Sequence, residues 1–231
     1  MTNLNQTENP AQRIGLFGGT FNPIHRGHVE VAEDVLKQFK LDHIYFIPCA
    51  LPPHKTHGAL ASAKDRVEMV RLALKDRSAL TVSNIETERG GSSYTIDTLK
   101  AFRSMYSPAA ALYFMVGVDA FLELHTWMSY RELLDLCAFV VMTRSLPDQT
   151  PVALAPLALD YTRHHISDGY TLASNGKELV HADKKTIYPV SVTPIAIAST
   201  QIRDMVRHGK PIHPWVNPAV SDYIDNKGLY R

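Results

Sequence analysis

The 231-residue chain predicts an α/β fold, an open parallel sheet with helices on both faces and a small C-terminal helical piece. Three observations carry this. Short apolar runs alternate with stretches whose apolar residues recur at helical spacing, the pattern of βαβ units. The first run passes through a glycine pair straight into a helix. Several strand ends are followed at once by polar and basic side chains, where an open α/β sheet places its ligands.

Composition sets the frame. Hydrophobic residues make up 45% of the chain, enough to bury a real core. A net charge of +1 provides no basic field for nucleic acid, so any anion chemistry belongs to a local site. The 2 cysteines, Cys49 and Cys137, make neither a disulfide framework nor a zinc cluster, which suits a reduced, cytoplasmic compartment. No apolar run reaches the length of a membrane span, and residues 1–12 lack the apolar segment of a signal peptide. Those first residues read as a flexible N-terminal tail, and 13–231 as a single domain.

Taken in order, residues 14–17 form the first strand, and Val29, Ala32, Leu36 and Phe39 place a helix after it. Between them runs Gly18-Gly19-Thr20-Phe21-Asn22-Pro23-Ile24-His25-Arg26-Gly27-His28. Gly18 and Gly19 let the backbone approach a ligand closely. The helix start offers unpaired N–H groups and a partial positive charge, which suit a phosphate. His25 and His28 share one face of that first turn, where two imidazoles can donate to phosphate oxygens. No G-K-[ST] follows, so this is not a Walker A loop, and the spacing differs from G-x-G-x-x-G.

Ile44 to Ile47 form a second strand, ended by Pro48. The loop behind it, stiffened by Pro52 and Pro53, offers His54 and Lys55 at a C-terminal strand end. Residues 63–73 read as a helix with Ser62 as N-cap, and 80–83 as a short strand. Gly90 and Gly91 then make a turn before a helix that Ser93 or Thr95 would cap. That stretch is either a capped helix alone or, with Tyr94 and Thr95, a ligand floor.

Residues 111–116 form another strand, with Gly117 and Asp119 at its C-terminal end, where an aspartate can accept from ribose hydroxyls. Trp127 lies between the helical stretches 120–124 and 130–136, to stack on a flat ring or pack on the core. Residues 138–142 form a further strand. Across 145–186, Pro147, Pro151 and Pro156 should break any long element, and His164, His165 and His181 show no metal-ligand pattern. Residues 187–192 form the last strand. A helix then opens at 197–203 and stops by Gly209, with Ser199 as its cap and Thr200 and Arg203 on one face, a second anion site. Residues 214–230 form the small helical end.

Together these pieces resemble a known family. G-G-T-F-N-P-I-H-R-G-H at 18–28, P-P-H-K at 52–55, S-Y-T-I-D-T-L at 93–99, G-V-D-A at 117–120, T-W at 126–127 and A-S-T-Q-I-R at 198–203 are similar to the bacterial nicotinate-nucleotide adenylyltransferases of the nucleotidyltransferase superfamily. The resemblance runs from Gly15 to the terminal Gly228-Leu229-Tyr230-Arg231. It implies a Rossmann-like domain whose C-terminal helical piece spans about 197–231. The implied reaction is adenylyl transfer from ATP to nicotinate mononucleotide, giving nicotinate adenine dinucleotide and pyrophosphate in NAD biosynthesis.

The resemblance also implies roles. His25 and His28 would be the catalytic, transition-state-stabilising pair. Gly18, Gly19, Thr20, Phe21, His25, His28, Gly117, Asp119, Ser199, Thr200, Ile202 and Arg203 would bind ATP. Lys55, Tyr94, Thr95 and Trp127 would bind nicotinate mononucleotide. Mg²⁺ would travel with ATP, held by its phosphates rather than by a resident metal site. The implied partners are these two small molecules, with no nucleic acid or membrane, on a monomer or homodimer. Two positions depart from the family: Ala198 lacks a hydroxyl many relatives carry, and Asn22 stands where aspartate is frequent, with a turn role expected of either. The alternatives are the amide, nicotinamide mononucleotide, as substrate, a pantetheine-phosphate adenylyltransferase, or a non-catalytic nucleotide-binding module. A carboxylate needs N–H donors where an amide also needs an acceptor, so the preference for the acid rests on the resemblance.

Overall fold

The computed structural model describes residues 11–51, 60–144, 154–192 and 197–231. His54, Lys55, Pro147, Pro151 and all but two residues of the expected tail lie outside the described residues.

In chain order the strands are β1 (Arg13–Gly19), β2 (His43–Pro48), β3 (Leu80–Val82), β4 (Ala111–Gly117), β5 (Ala138–Arg144), β6 (Thr171–Leu172), β7 (Leu179–Val180) and β8 (Ile187–Val192). They form one sheet in the order β3-β2-β1-β4-β5-β8-β7-β6. From β3 to β8 every pairing is parallel, while β6 and β7 add an antiparallel edge. The winding reverses at β1, which pairs with β2 on one side and β4 on the other. A crevice opens at such a reversal, at the C-terminal ends of the strands.

The helices are α1 (Arg26–Gln38), α2 (Ala63–Leu74), α3 (Ile85–Arg89), α4 (Thr95–Met105), α5 (Val118–Phe121), α6 (Tyr130–Leu136), α7 (Leu154–His165), α8 (Ser199–Arg207) and α9 (Pro218–Lys227). Strand side chains alternate between two cores, as period-2 geometry requires. Phe17, Phe46, Met115, Val140 and Met142 meet Val29 and Val35 of α1, Met69 and Val70 of α2, Ile202 of α8 and Ile224 of α9. Leu16, Phe114, Phe139 and Val141 meet Leu99 and Phe102 of α4, Leu133 of α6 and Ala158 of α7. The open parallel sheet with helices on both faces is thus as expected. Ser62 caps α2 as expected, accepting from Asp65 N–H at 3.0 Å.

Of the prolines expected to break any long element across 145–186, Pro156 does not do so. Pro156 sits in the first turn of α7, where an α-helix needs no donor from the backbone nitrogen, so the ring is tolerated. The antiparallel pair β6–β7 turns through Gly176 at φ 66°, a left-handed conformation that glycine adopts freely. Among the described residues no helix is long and apolar enough to cross a membrane.

Candidate active site

A cleft of about 1680 Å³ opens at the C-terminal ends of β1, β4, β5 and β8. Gly18 and Gly19 form its floor. A Cβ at Gly19 would stand 2.9 Å from the Phe21 ring, and one at Gly18 3.3 Å from Phe114, so close packing beneath the loop requires the glycines. Phe21 itself takes a left-handed φ of 47° and turns its buried ring down. There it meets Phe17 edge-on at 5.6 Å and His28 at 5.1 Å. Its ring therefore buttresses the loop and one of the histidines.

His25 is the N-cap of α1 and His28 its third residue. The His25 backbone N–H donates to His28 Nδ1 at 3.2 Å, and the two rings lie 3.6 Å apart with a 31° tilt. An accepting Nδ1 carries no proton, so His28 holds its proton on Nε2, as a donor. Both side chains line the cleft, while N–H groups of the first α1 turn are already engaged: the Arg26 N–H donates to the Trp215 carbonyl at 2.8 Å and the His28 N–H to the His25 carbonyl at 3.0 Å.

The start of α8 meets this loop from across the chain. Arg203 Nη1 donates to the Asn22 carbonyl at 2.9 Å, and its Nη2 lies 3.4 Å from Thr200 Oγ1. Ser199 does not cap the helix as expected. Its hydroxyl donates to the Pro23 carbonyl at 2.9 Å, while Ala198 is the N-cap and its N–H is taken by Gln201 Oε1 at 2.7 Å. The reason is geometric: Ser199, as the first helical residue, faces the 22–23 turn. Ile202 also departs from expectation, since its side chain is fully buried in the core and does not line the cleft. Ile202 precedes Arg203 by one position and so lies about 100° around the helix from it, on the side that packs into the core.

The opposite wall holds the start of α4. Tyr94 is its N-cap, with no side-chain cap bond. Ser93, expected as a possible cap, instead accepts from Ala50 N–H at 2.8 Å and holds the turn to the end of β2. Thr95 begins the helix, whose first N–H groups have no partner within it. Trp127 follows a 3-10 turn, Leu124–Thr126. Its ring packs on the core, meeting Phe114 edge-on at 6.1 Å and 89°, and it also lines the cleft. Between the walls, Asp119 Oδ1 lies over Gly117, where a Cβ would approach it to 2.5 Å. Glycine is therefore needed for the aspartate to sit at the strand end.

Two features had no signal in the sequence. Arg66, on α2, is 1% exposed although helical spacing alone marks it as a surface cation. It donates to the carbonyls of Thr20 (2.9 Å), Ala50 (3.0 Å) and Ala61 (3.1 Å), joining the glycine loop to the segments around β2 and α2. Beside it, burial pushes the Cys49 thiol above its ordinary value, against the pull of the Arg66 charge. Glu86 is also buried, lines the cleft and accepts from the Thr98 hydroxyl at 2.7 Å, tying α3 to α4. Asn22 has the expected turn role, with a cis bond to Pro23, and further bonds that join distant segments.

Comparison with known proteins agrees with this geometry. Residues 16–205 match the cytidylyltransferase-like family model. A probable nicotinate-nucleotide adenylyltransferase of Desulfatibacillum aliphaticivorans is 41% identical over 220 residues, covering 94% of this chain and 99% of that relative. One from Geotalea daltonii is 37% identical over 221 residues, covering 95% and 98%. Among solved structures, the Plasmodium falciparum nicotinic acid mononucleotide adenylyltransferase complexed with NaAD superposes with a TM-score of 0.69 at 18% identity. That superposition covers 95% of this chain and 97% of the other.

Proposed function

This chain belongs to the cytidylyltransferase-like family and, within it, to the nicotinate-nucleotide adenylyltransferases; from that premise we propose that it transfers the adenylyl group of ATP to nicotinate mononucleotide. A phosphate oxygen of the mononucleotide attacks the α-phosphorus of ATP, forming the new P–O bond of nicotinate adenine dinucleotide. The bond from the α-phosphorus to the bridging oxygen breaks, and pyrophosphate leaves with that electron pair. The nucleophile is already an anion, so no general base is required. Catalysis is positioning and charge stabilisation.

The stacked histidine pair is the observation that carries this reading. His28 Nε2–H and the neighbouring His25 form the donor pair for the α-phosphate. Gly18, Gly19, Thr20 and Phe21 shape the loop beneath the nucleotide. Thr200 and Arg203 take the departing phosphates at the start of α8. Gly117 leaves room for Asp119 to accept from a ribose hydroxyl. Tyr94, Thr95 and Trp127 form the nicotinate pocket: Trp127 stacks on the ring, and the free N–H groups opening α4 receive its carboxylate. Lys55 belongs to this half as a phosphate contact, on the motif it shares with the family.

Mg²⁺ accompanies ATP. The cleft's phosphate-facing groups are N–H and guanidinium donors, which suit oxyanions and repel a cation. Among the described residues no group of three or more His, Cys, Asp or Glu side chains could hold a metal. In this reading the ligands of the ion are phosphate oxygens and water.

Pyrophosphate release with ATP and Mg²⁺, run in parallel with nicotinate and nicotinamide mononucleotides, tests the reading. Strong preference for the acid is expected. Preference for the amide would overturn the specificity, and silence of folded protein with both would overturn the reaction.

A further inference from the structure

Asn22 is a junction for three distant parts of the chain. Its carbonyl accepts from Arg203, and its Oδ1 accepts from Ala61 N–H at 3.0 Å and from the Tyr230 hydroxyl at 2.7 Å. Asn22 and Tyr230 are 7% and 9% exposed, so water cannot readily replace a lost partner. The Ala61 carbonyl in turn accepts from Arg66, which also reaches Thr20. A continuous run of buried hydrogen bonds therefore passes from Thr20 through Arg66, Ala61 and Asn22 to Tyr230, beneath the phosphate loop.

Tyr230 follows α9, and its backbone is left-handed at φ 68°, a conformation that costs energy for an L side chain. The buried ring and its hydroxyl bond hold it there. Burial pushes the phenol up, against the pull of the Arg203 and Arg66 charges, so the hydroxyl stays a donor at neutral pH. A second tyrosine offers a contrast. Tyr223, on α9, donates to Asp65 Oδ1 at 2.8 Å and ties α9 to α2 without touching the loop.

We propose that Tyr230 is a positioning residue for the ATP phosphate site: its bond to Asn22 fixes the turn on which Arg203 and Ser199 dock, and so aligns the α8 start with the glycine loop. The inference rests on the adenylyl-transfer reading above, since it takes that loop as the ATP site. It predicts that one hydroxyl on the far side of the loop from substrate controls how ATP is held, while the mononucleotide pocket is indifferent to it.

Tyr230→Phe and Tyr223→Phe, each in the full chain, separate positioning from stability. Losing its hydrogen bond, buried for Tyr230 and part-buried for Tyr223, lowers the melting temperature of either variant by about 2–4 °C. Tyr230→Phe is expected to lower kcat/KM for ATP at least about fivefold, with KM for nicotinate mononucleotide within about twofold of wild type. Calorimetry with ATP alone should show its Kd weakened in step. Tyr223→Phe should leave all three quantities within about twofold. A Tyr230→Phe protein that melts lower yet keeps its kcat/KM and Kd for ATP would overturn the proposal. Wild type that binds ATP but makes no dinucleotide would sink the reaction instead, and the calorimetric comparison would still judge Tyr230.

Discussion

The His25 and His28 rings lie 3.6 Å apart, and the His25 backbone N–H closes onto His28 Nδ1 at 3.2 Å. The contact fixes both the tautomer and the aim of His28, and two imidazolium charges at that separation would repel strongly. In the proposed reaction His28 would meet the α-phosphate as a neutral, pre-aimed donor, whose bond would strengthen as charge builds in the transition state.

Replacing it should therefore act on turnover. His28→Ala is expected to lower kcat by at least about tenfold, or ~1.4 kcal/mol of barrier. Pyrophosphate release from the folded variant measures this, and an unchanged kcat would remove the role.

The start of α8 makes a finer prediction about hydroxyls. Ala198 has none, and Ser199 gives its own to Pro23, which leaves Thr200 as the hydroxyl at this helix start able to meet phosphate. Thr200→Val should raise KM for ATP by about tenfold or more, the value of one hydrogen bond to a charged group. Ser199→Ala should instead lower the melting temperature by about 2–4 °C and move KM less than about threefold. The reverse ranking would give the phosphate to Ser199.

Trp127 presents its ring to the cleft while Phe114 supports it edge-on. Stacking of an aromatic side chain on a flat heterocycle is worth ~1–3 kcal/mol, so Trp127→Ala should raise KM for nicotinate mononucleotide by about tenfold or more. KM for ATP should stay within about twofold. Equal losses for both substrates would place the ring elsewhere.

How much of this was legible in the sequence follows from what each residue reveals in one dimension. The alternation of strands and helices, the glycine pair and the His25–His28 spacing are local, and they point to the fold and to the loop that lines the cleft. The pairing of Arg203 with Asn22 joins residues 181 positions apart, which no local pattern records. Arg66 reads as any helical arginine until three carbonyls are found around it, and nothing local marks the Tyr230 hydroxyl as a partner for Asn22. Ser199 reads as a helix cap in sequence, because a helix start and a docking face need the same residue type, yet its hydroxyl donates to Pro23. Across 145–186, prolines mark breaks only when they fall inside an element, and Pro156 falls at the edge of one.

The α2–α9 contact carries a pH dependence. Hydroxyls of Ser62 and Tyr223 donate to Asp65 and hold its carboxyl below the ordinary 3.8, against the opposing effect of burial. A depressed folded value means stability that is present above about pH 4 and lost as pH falls through that folded value. Wild-type melting temperature should therefore fall more steeply than that of Asp65→Asn from about pH 4 downward, with the two curves converging. Parallel curves in a pH series of melts would show that the carboxylate is not stabilised there.

Arg66 gives the sharpest stability test. Its guanidinium spans Thr20, Ala50 and Ala61 at once, a fork that no other side chain reproduces. Arg66→Met keeps much of the volume but leaves three carbonyls without this donor, each worth ~1–3 kcal/mol if it stays dry. For a chain of this size the melting temperature should then fall by about 10 °C or more. Arg66→Lys, with a charge but a single nitrogen, can reach only part of the set and should fall between the two. A methionine variant melting within about 2 °C of wild type would mean that water enters and takes over the carbonyls. The loop would then owe its shape to the glycines and Phe21 alone.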